Sequence, residues 1–555
     1  MAQAERERQE AGEHMPRLPL LAQREEDCVA CWACVRHCPA RAIKIVEGRP
    51  RIAEERCVKC GLCVTECSHQ AFSVRDDLPP VRSLLASGRP VVALVATEYI
   101  AALHPLTPDE IEQRLALAGF AALETTVLGE ELVAAAYERV ISAGDPRLPQ
   151  LRSTCPVVVD WVRRFYPELT SALAPIVPPY VAQARLIRSL YPSNTAIVYV
   201  SPCWARKDEI FEDDLAGEVD VAIGFDELKR LLDESPQPKD EDAPVTRPRA
   251  AKQLSVTDGF PRRALTERDL TDGDVAVVRG LEDVDRLLAA VSRGETAPAM
   301  VDMLNCEGCI DGPCVRPELS VFVKRGIDAA ERRRQAPPLV DSRAFLSALP
   351  TVELTRAFVA EPAGGRAPTE DEVDEVLAGG EFASRDETID CGACGYRTCV
   401  SHAVAIWEGS STWEMCFPLQ KRRLIREREA LAEAVIIDTL TGLMNRRGFD
   451  RRLSEEFARS KRYDTPVSLV MMDLDAFKEI NDQHGHPSGD ALLRAVGVLL
   501  SAELRTADVA VRFGGDEFAL ILPNTPKTDA WAVAEKVRNS ISQLTIHTED
   551  GATVG

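Results

Sequence analysis

The stretches CVACWACVRHCP (28–39) and CVKCGLCVTECS (57–68) share one spacing, C-x2-C-x2-C-x3-C. They place Cys28, Cys31, Cys34 and Cys38 in the first copy, and Cys57, Cys60, Cys63 and Cys67 in the second. Pro39 follows the first copy, and Ser68 stands at the matching position of the second. Such spacing lets three thiolates wrap one iron–sulfur cubane while the fourth reaches across to another. A zinc site is the plainer alternative, and a four-cysteine pattern repeated in full weighs against it.

Working outward, 555 residues are enough for several domains, because single cores rarely exceed about 250–300 residues. The formal charge of −22 argues against nucleic acid and anionic membranes as partners, since phosphates would be repelled. No apolar run approaches the roughly 18–20 residues that span a bilayer, and the opening MAQAERERQEAGEH lacks a signal-peptide core. The expectation is therefore a cytoplasmic protein. In that compartment 17 cysteines are ligands or catalysts rather than disulfides. Eight lie between Cys28 and Cys67, five between Cys155 and Cys314, and four between Cys391 and Cys416, with none beyond.

Composition divides the chain into a charged tail (1–24), a two-cluster segment (25–76), a long α/β region (83–350), a linker (360–372), a small cysteine module (378–418), a signalling helix (419–437) and a last domain (438–555). DESPQPKDEDAPVTRPR (233–249) reads as a surface excursion. VVALVAT (91–97) reads as a buried strand and LTPDEIEQRLALAGF as a helix and turn, an order that recurs through residue 230. The expected fold class is multidomain α/β and α+β.

Residues 25–76 resemble a bacterial two-cluster ferredoxin. The resemblance implies that Cys28, Cys31, Cys34 and Cys67 hold one 4Fe–4S cluster, and that Cys57, Cys60, Cys63 and Cys38 hold the other.

STCP at Cys155, SPCWARKDE at Cys203 and LNCEGCIDGPC (304–314) resemble the cluster loops of iron-only (FeFe) hydrogenases. FYPELTSALAPIVPPYVAQARLIR (165–188) and DGFPRRAL (258–265) carry the same likeness. It implies a 4Fe–4S cluster on Cys155, Cys203, Cys306 and Cys309, one of them bridging to a two-iron group with CO and cyanide. The departures are specific. The family's proton-shuttling Cys before the first ligand is Thr154 here, and an alcohol with a pKa far above neutrality cannot relay protons as a thiol can. The usual Lys is Arg206, the usual Met is Ser201, and Glu209 is retained. The usual C-x3-C is shortened to Cys306-x2-Cys309, and Cys314 is added. Cys306-x2-Cys309-x4-Cys314 repeats the spacing of Cys391-x2-Cys394-x4-Cys399, so one cubane on these three thiols and a remote cysteine stays open as an alternative.

CGACGYRTC and WEMCFP supply Cys391, Cys394, Cys399 and Cys416, with CVSHAVAIWEG able to form a helix between them. They look like the small 4Fe–4S module of corrinoid iron–sulfur and electron-transport proteins, with zinc as the alternative. After Pro418, Leu424, Leu431, Val435 and Asp438 form a narrow seam on a charged helix, read as a parallel dimer stalk.

DTLTGLMNRRGF (438–449), MDLDAFKEINDQHGHPSGD (472–490) and RFGGDEFALILP (512–523) resemble a GGDEF diguanylate cyclase. The likeness implies that two GTP molecules condense to cyclic di-GMP across a dimer by two-metal phosphoryl transfer. Asp473 and Asp516 would bind Mg²⁺, and Glu517 would assist. Lys478 would contact phosphate, Asn481 and Asp490 would read guanine, and Arg505 and Asp508 would form an inhibitory product site. The family continues past TEDGATVG through a further strand, helix and basic segment, so an incomplete cyclase is expected.

The leading expectation is a sensor of hydrogen or redox state that controls cyclic di-GMP synthesis. The alternatives are a hydrogenase with a regulatory tail, and an electron-transfer protein that binds cyclic di-GMP without making it.

Overall fold

The computed structural model describes residues 18–143, 149–236, 275–334, 349–364, 366, 368–434, 436–547 and 553–554. Most of the charged tail, 237–249 of the Pro-rich excursion, DGFPRRAL (258–265), residues 335–348 and Val435 lie outside them. The chain forms two compact units, one ending at Cys416 and the other beginning at Phe417.

In the first unit, β1 (Leu21–Gln23) pairs antiparallel with β4 (Phe72–Val74), and β2 (Ile43–Val46) with β3 (Arg49–Ile52). The repeat in the sequence is a repeat in the backbone. Ala30 and Trp32 take φ of 53° and 55°, their counterparts Lys59 and Gly61 take 58° and 80°, and Arg41 and Gln70 take 47° and 52°. Left-handed non-glycine residues persist only where surrounding structure dictates them. Here the same wrap about a sulfur set dictates them twice.

The α/β region builds two parallel sheets. β5 (Val91–Val95), β6 (Ala122–Thr125), β8 (Ala196–Ser201) and β9 (Val221–Gly224) form one, in the order β6-β5-β8-β9. β5 and β8 are buried at every position, the pattern of a sheet covered on both faces. The helix Pro108–Leu117 between β5 and β6 starts at a capping box of Thr107 and Glu110. The second sheet, β10-β11-β7, joins β7 (Gln150–Leu151), β10 (Val275–Arg279) and β11 (Met300–Leu304). Cys155, Cys203 and Cys306 all sit just past the carboxyl ends of parallel strands, where α/β sheets place their sites.

A charge network ties the two-cluster module to this region. Arg75 bonds Asp77 (2.9 Å) and Asp208 (3.2 Å), while Lys59 lies 3.4 Å from Asp208 and 3.7 Å from Asp160. Lys207, 1% exposed, reaches Glu227 (2.9 Å) and Asp77 (3.0 Å). The stretch expected as a linker is tied down at its start and helical at its end. Glu361 and Ala363 donate backbone N–H groups to the carbonyls of Arg163 and Arg164, and the helix Glu370–Gly379 begins after the capping residue Thr369.

The small module packs this helix against Cys399–Trp407 and docks on the two-cluster module. Cys394, Tyr396 and Met415 share one apolar cluster with Cys34, Val35 and Phe72. The Arg41 guanidinium lies 5.2 Å from the centre of the Tyr396 ring. His402 stacks on Tyr396 (4.8 Å), meets Trp413 edge-on (5.0 Å) and pairs its Nε2 with Ser411 Oγ at 2.9 Å.

The second unit opens with the helix Phe417–Ala434, whose Phe417, Leu424 and Leu431 are exposed at seven-residue spacing. Asp438, expected on the same seam, has left the helix. Its carboxylate accepts from the N–H (2.9 Å) and hydroxyl (2.8 Å) of Thr441 in a turn. β12 (Met444–Asn445), β13 (Val467–Asp473), β14 (Val509–Gly514) and β15 (Glu517–Pro523) form a sheet ordered β12-β14-β15-β13. It is antiparallel except for the β12–β14 pair. Among the described strands β13 is an edge, with Leu469 and Met471 exposed.

Replacing Lys207 by Met would leave the buried Glu227 without its cation, while Asp77 keeps Arg75. We expect about 3–5 kcal/mol of lost stability in the first unit, read as an earlier denaturant transition. Burial holds the His402 pKa down at about 4, against an ordinary 6.5. Below pH 6.5 the unfolded chain therefore binds the proton that the folded chain refuses, and stability falls until about pH 4. The loss attributable to His402 is expected to approach about 3 kcal/mol. Unfolding at pH 7 and pH 5 should show this slope in the wild type and a shallower one in His402→Phe.

Candidate functional site

The cysteines gather into sets that cross the repeat. Burial pushes the Cys34 thiol up to about 12, and neighbouring Cys31, Cys28 and Cys67 add to the rise. Burial likewise lifts Cys57 to about 11 and Cys60 to about 12, with Cys38 beside both. Cys63 is raised by burial and then by Cys60, Cys57, Cys38 and Cys34, so the two sets adjoin. Backbone N–H groups point at sulfur: Ala42 donates to Cys38 (3.2 Å) and Ala71 to Cys67 (3.3 Å). Converging, desolvated thiols with N–H donors fit a 4Fe–4S cluster, which binds the thiolate form that burial alone disfavours.

A third set lies past β7, β8 and β11. Cys203 is pushed up to about 11 by burial and then by Cys155, and Cys306 is raised by burial and then by Cys203 and Cys155. Asn305 Nδ2 lies 3.5 Å from Cys306 Sγ. The loop bearing the other two thiols folds over Pro202: Cys314 donates its N–H to the Pro202 carbonyl at 3.2 Å, and a Cβ on Gly312 would stand 2.3 Å from that oxygen. Cys314 lies against Asp226, Cys203 and Gly224, whereas Cys309 is near enough to Tyr199 and Arg206 for its charge to act on both. The open alternative at 306, 309 and 314 is thus joined to Cys155 and Cys203 in one neighbourhood. Trp204, next to Cys203, bears on the second set, since a Cβ on Gly61 would stand 2.5 Å from its ring.

In the fourth set Cys394 is flanked by Cys416 and Cys391. Cys399 is buried at the head of its helix, takes the Asp390 carboxylate on its N–H (2.6 Å) and packs with Val373, Leu377 and Phe382.

Thr154 is 1% exposed, its Oγ1 accepting from Arg152 at 3.2 Å. Its carbonyl accepts from Arg206 Nη2 at 2.6 Å. Arg206 also pairs with Glu209, whose other oxygen takes Arg356 Nη1 at 2.9 Å. Two guanidinium groups hold this buried carboxyl below its usual range against the opposing effect of burial. A group fixed in one charge state cannot pass protons on.

In the second unit, Asp473 at the end of β13 pairs in register with Glu517 at the start of β15. Asp516 occupies the turn between β14 and β15, beside Gly515 at φ 51°. Backbone pairing thus brings Asp473, Asp516 and Glu517 to one end of the sheet, and carboxylates suit hard divalent cations such as Mg²⁺, although among the described residues no three acidic, Cys or His side chains are gathered closely enough to hold a metal ion. Lys478 and Asn481 lie on the helix Phe477–His484, and Asp490 on the helix His486–Glu503. A Cβ on Gly489 would stand 2.0 Å from Asn481 Oδ1, so this glycine lets the amide lie across the second helix. Asp508 Oδ2 accepts from the Arg505 N–H at 3.1 Å, closing a turn, and the Arg505 guanidinium makes no ion pair among the described residues.

Sequence reading misses Arg512. Its Nε and Nη2 donate to the Gly515 carbonyl (2.9 and 2.8 Å), and its Nη1 lies 3.2 Å from Asp438. One side chain thus fastens the hairpin turn to the opening motif. The two groups are 74 positions apart, and no local pattern announces the contact.

Comparison with known proteins agrees with this division. Residues 89–313 match the C-terminal domain of the iron only hydrogenase large subunit, and residues 27–71 a 4Fe-4S dicluster domain. Residues 388–418 match an Fe-S cluster domain, and residues 435–554 the diguanylate cyclase GGDEF domain. Response regulator PleD of Caulobacter vibrioides is 40% identical over 110 residues, 20% of this chain and 24% of PleD. Diguanylate cyclase DosC of Escherichia coli K12 is 35% identical over 133 residues, 24% of this chain and 29% of DosC. The chain thus spans less than a third of the length of either relative. A variant of the [FeFe]-hydrogenase HydA1 of Chlamydomonas reinhardtii aligns at 17% identity over 51% of this chain and 99% of that one, with a TM-score of 0.39. No helix of the described residues is long and apolar enough to cross a membrane. The chain thus joins segments that match a two-cluster 4Fe–4S domain, an iron-only-hydrogenase C-terminal domain, a further Fe–S cluster domain and a diguanylate cyclase GGDEF domain.

Proposed function

We propose that the protein is a diguanylate cyclase whose rate follows the redox state of iron–sulfur centres in its first unit. The observation that carries the reading is the register of Asp473 against Glu517, with Asp516 in the adjoining turn. Asp473 and Asp516 would hold Mg²⁺, which supplies neutralisation of charge on the triphosphate. Glu517 would assist metal binding or accept the proton of the attacking 3′-hydroxyl of one GTP as it displaces diphosphate from the α-phosphate of the other. Lys478 meets phosphate, while Asn481 and Asp490 read guanine. Each domain presents one such site, so two chains are required. The exposed Phe417, Leu424 and Leu431 give the dimer a seam.

On the input side, bound 4Fe–4S clusters store single electrons. The protein holds their thiol sets in one packed series. Cys155, Cys203, Cys38, Cys60 and Cys63 pack against one apolar cluster, and Cys34, Cys67 and Cys394 belong to or pack against the next. The stalk helix begins at the residue after Cys416, so the last thiol and the first turn of the stalk share a peptide bond. These placements support control of a cyclase by cluster charge.

Cyclic di-GMP formation by the full chain, measured anaerobically after chemical oxidation and after dithionite reduction, should differ several-fold. Asp516→Asn should lose activity in both states. Equal rates in the two states would remove the redox reading while leaving the cyclase assignment standing. Arg505→Ala should keep the initial rate and delay the slowing caused by accumulating product, visible as a progress curve that stays linear for longer.

A further inference from the structure

The family likeness adds a two-iron group to one thiol of the third set, so the space around these thiols decides which signal the first unit accepts. An aromatic and guanidinium stack packs in this neighbourhood. Tyr180, from the helix Pro179–Leu190, and Tyr199, from β8, stack face to face with ring centroids 4.4 Å apart and planes 9° from parallel. They are 2% and 4% exposed. At that separation the rings are in contact and leave no atom-sized gap between them. The Arg206 guanidinium lies 5.1 Å from the Tyr180 ring centre, completing a three-layer stack. Arg206 is anchored at its far side by the Thr154 carbonyl and by Glu209, which Arg356 holds in turn. Cys309 lies near enough to Tyr199 and Arg206 for its charge to act on both, which puts the stack beside the third thiol set. The Tyr180 hydroxyl is buried and has no hydrogen-bond partner among the described residues, so ring packing is what keeps this residue in place.

We propose that the Tyr180–Tyr199–Arg206 stack occupies the chamber of the two-iron group, and that the third thiol set holds a 4Fe–4S centre alone. The input is then a single-electron donor or acceptor rather than dihydrogen. The inference rests on the reading of these thiols as iron–sulfur ligands and goes beyond it by excluding the second group.

The test is infrared spectroscopy of the full chain, produced anaerobically with the maturation enzymes that install CO and cyanide on iron-only hydrogenases. Iron and sulfide are measured on the same sample. The wild type is expected to carry about 16 iron atoms, as four cubanes, and to show no CO or cyanide bands. CO and cyanide bands in the wild type would overturn the proposal. A loss of iron at the third set would instead overturn the ligand reading beneath it. The variant Tyr180→Gln/Tyr199→Ala/Arg206→Lys opens the chamber and should gain the bands. Retained iron without bands in that variant would show that the stack is not what excludes the group, and the proposal would fall. If the triple variant loses iron, Tyr199→Ala alone leaves the Arg206–Glu209–Arg356 pairing in place and is read by the same two criteria.

Discussion

Buried sulfur is the constraint on which the first unit depends. Cys34, Cys60, Cys306 and Cys394 are raised chiefly by burial and then by neighbouring thiols, so the apo arrangement favours their protonated form. The clusters that packing best suits need thiolates. Binding them therefore converts an electrostatic penalty into folding free energy, and the fold of these modules is linked to iron loading. The apolar surroundings follow from the same constraint. Val35, Ile43 and Phe72 close one side of the first set, while Tyr396 and Met415 arrive from more than three hundred residues away to close the other. Small sulfur-bearing loops cannot build such a core alone. That is a physical reason for the C-terminal module to sit on the two-cluster module rather than beside it.

Legibility in the sequence follows the range of the interactions. The crossed cysteine sets, the strand 91–95 and the carboxylate hairpin can be read because each is fixed by spacing within a dozen residues or by a repeat. The left-handed residues at 30, 32 and 59 are matched by position, although only Gly61 advertises such a conformation by type. Phe417 escapes a reading of the stalk seam because Pro418 suggests a later helix start, yet proline is tolerated in a first helical turn. Asp438 fits the seam by spacing alone. Its short carboxylate instead finds backbone and hydroxyl donors in Thr441, the local competition that draws Asp out of helices. The tyrosine stack and the double arginine contact on Glu209 are out of reach, since both depend on parallel-sheet packing that joins distant segments.

The second unit shows how one long-range contact can matter more than a motif. The hairpin tip carries its carboxylates on a turn with little packing beneath it, and such turns are mobile unless tethered. Arg512 supplies the tether, binding the Gly515 carbonyl on one side and Asp438 on the other. Asp438 is also the residue at which the chain turns into the domain after the stalk helix. On the proposed reading, a twist of that helix reaches the metal-binding tip through this guanidinium as well as through β12, whose Asn445 N–H bonds the Ile436 carbonyl at 2.8 Å and which pairs with β14.

Three groups that border the third thiol set cannot pass protons on. Thr154 lacks an acidic proton near neutrality, Arg206 is always charged, and Glu209 is locked as a carboxylate by two guanidinium groups. An electron entering such a region arrives without a compensating proton and leaves a full unit of charge behind. At an effective dielectric near 20, one unit charge changes the energy of another about 4 Å away by about 4 kcal/mol. Lys59, Lys207 and Arg206 stand ready as the second charges, on the elements that join the two-cluster module to the α/β region. A few kcal/mol is the scale needed to move a two-state equilibrium by two or three orders of magnitude. A hydrogenase must avoid such uncompensated charge in order to turn over. On the proposed reading, a sensor needs it, because the uncompensated charge is the signal.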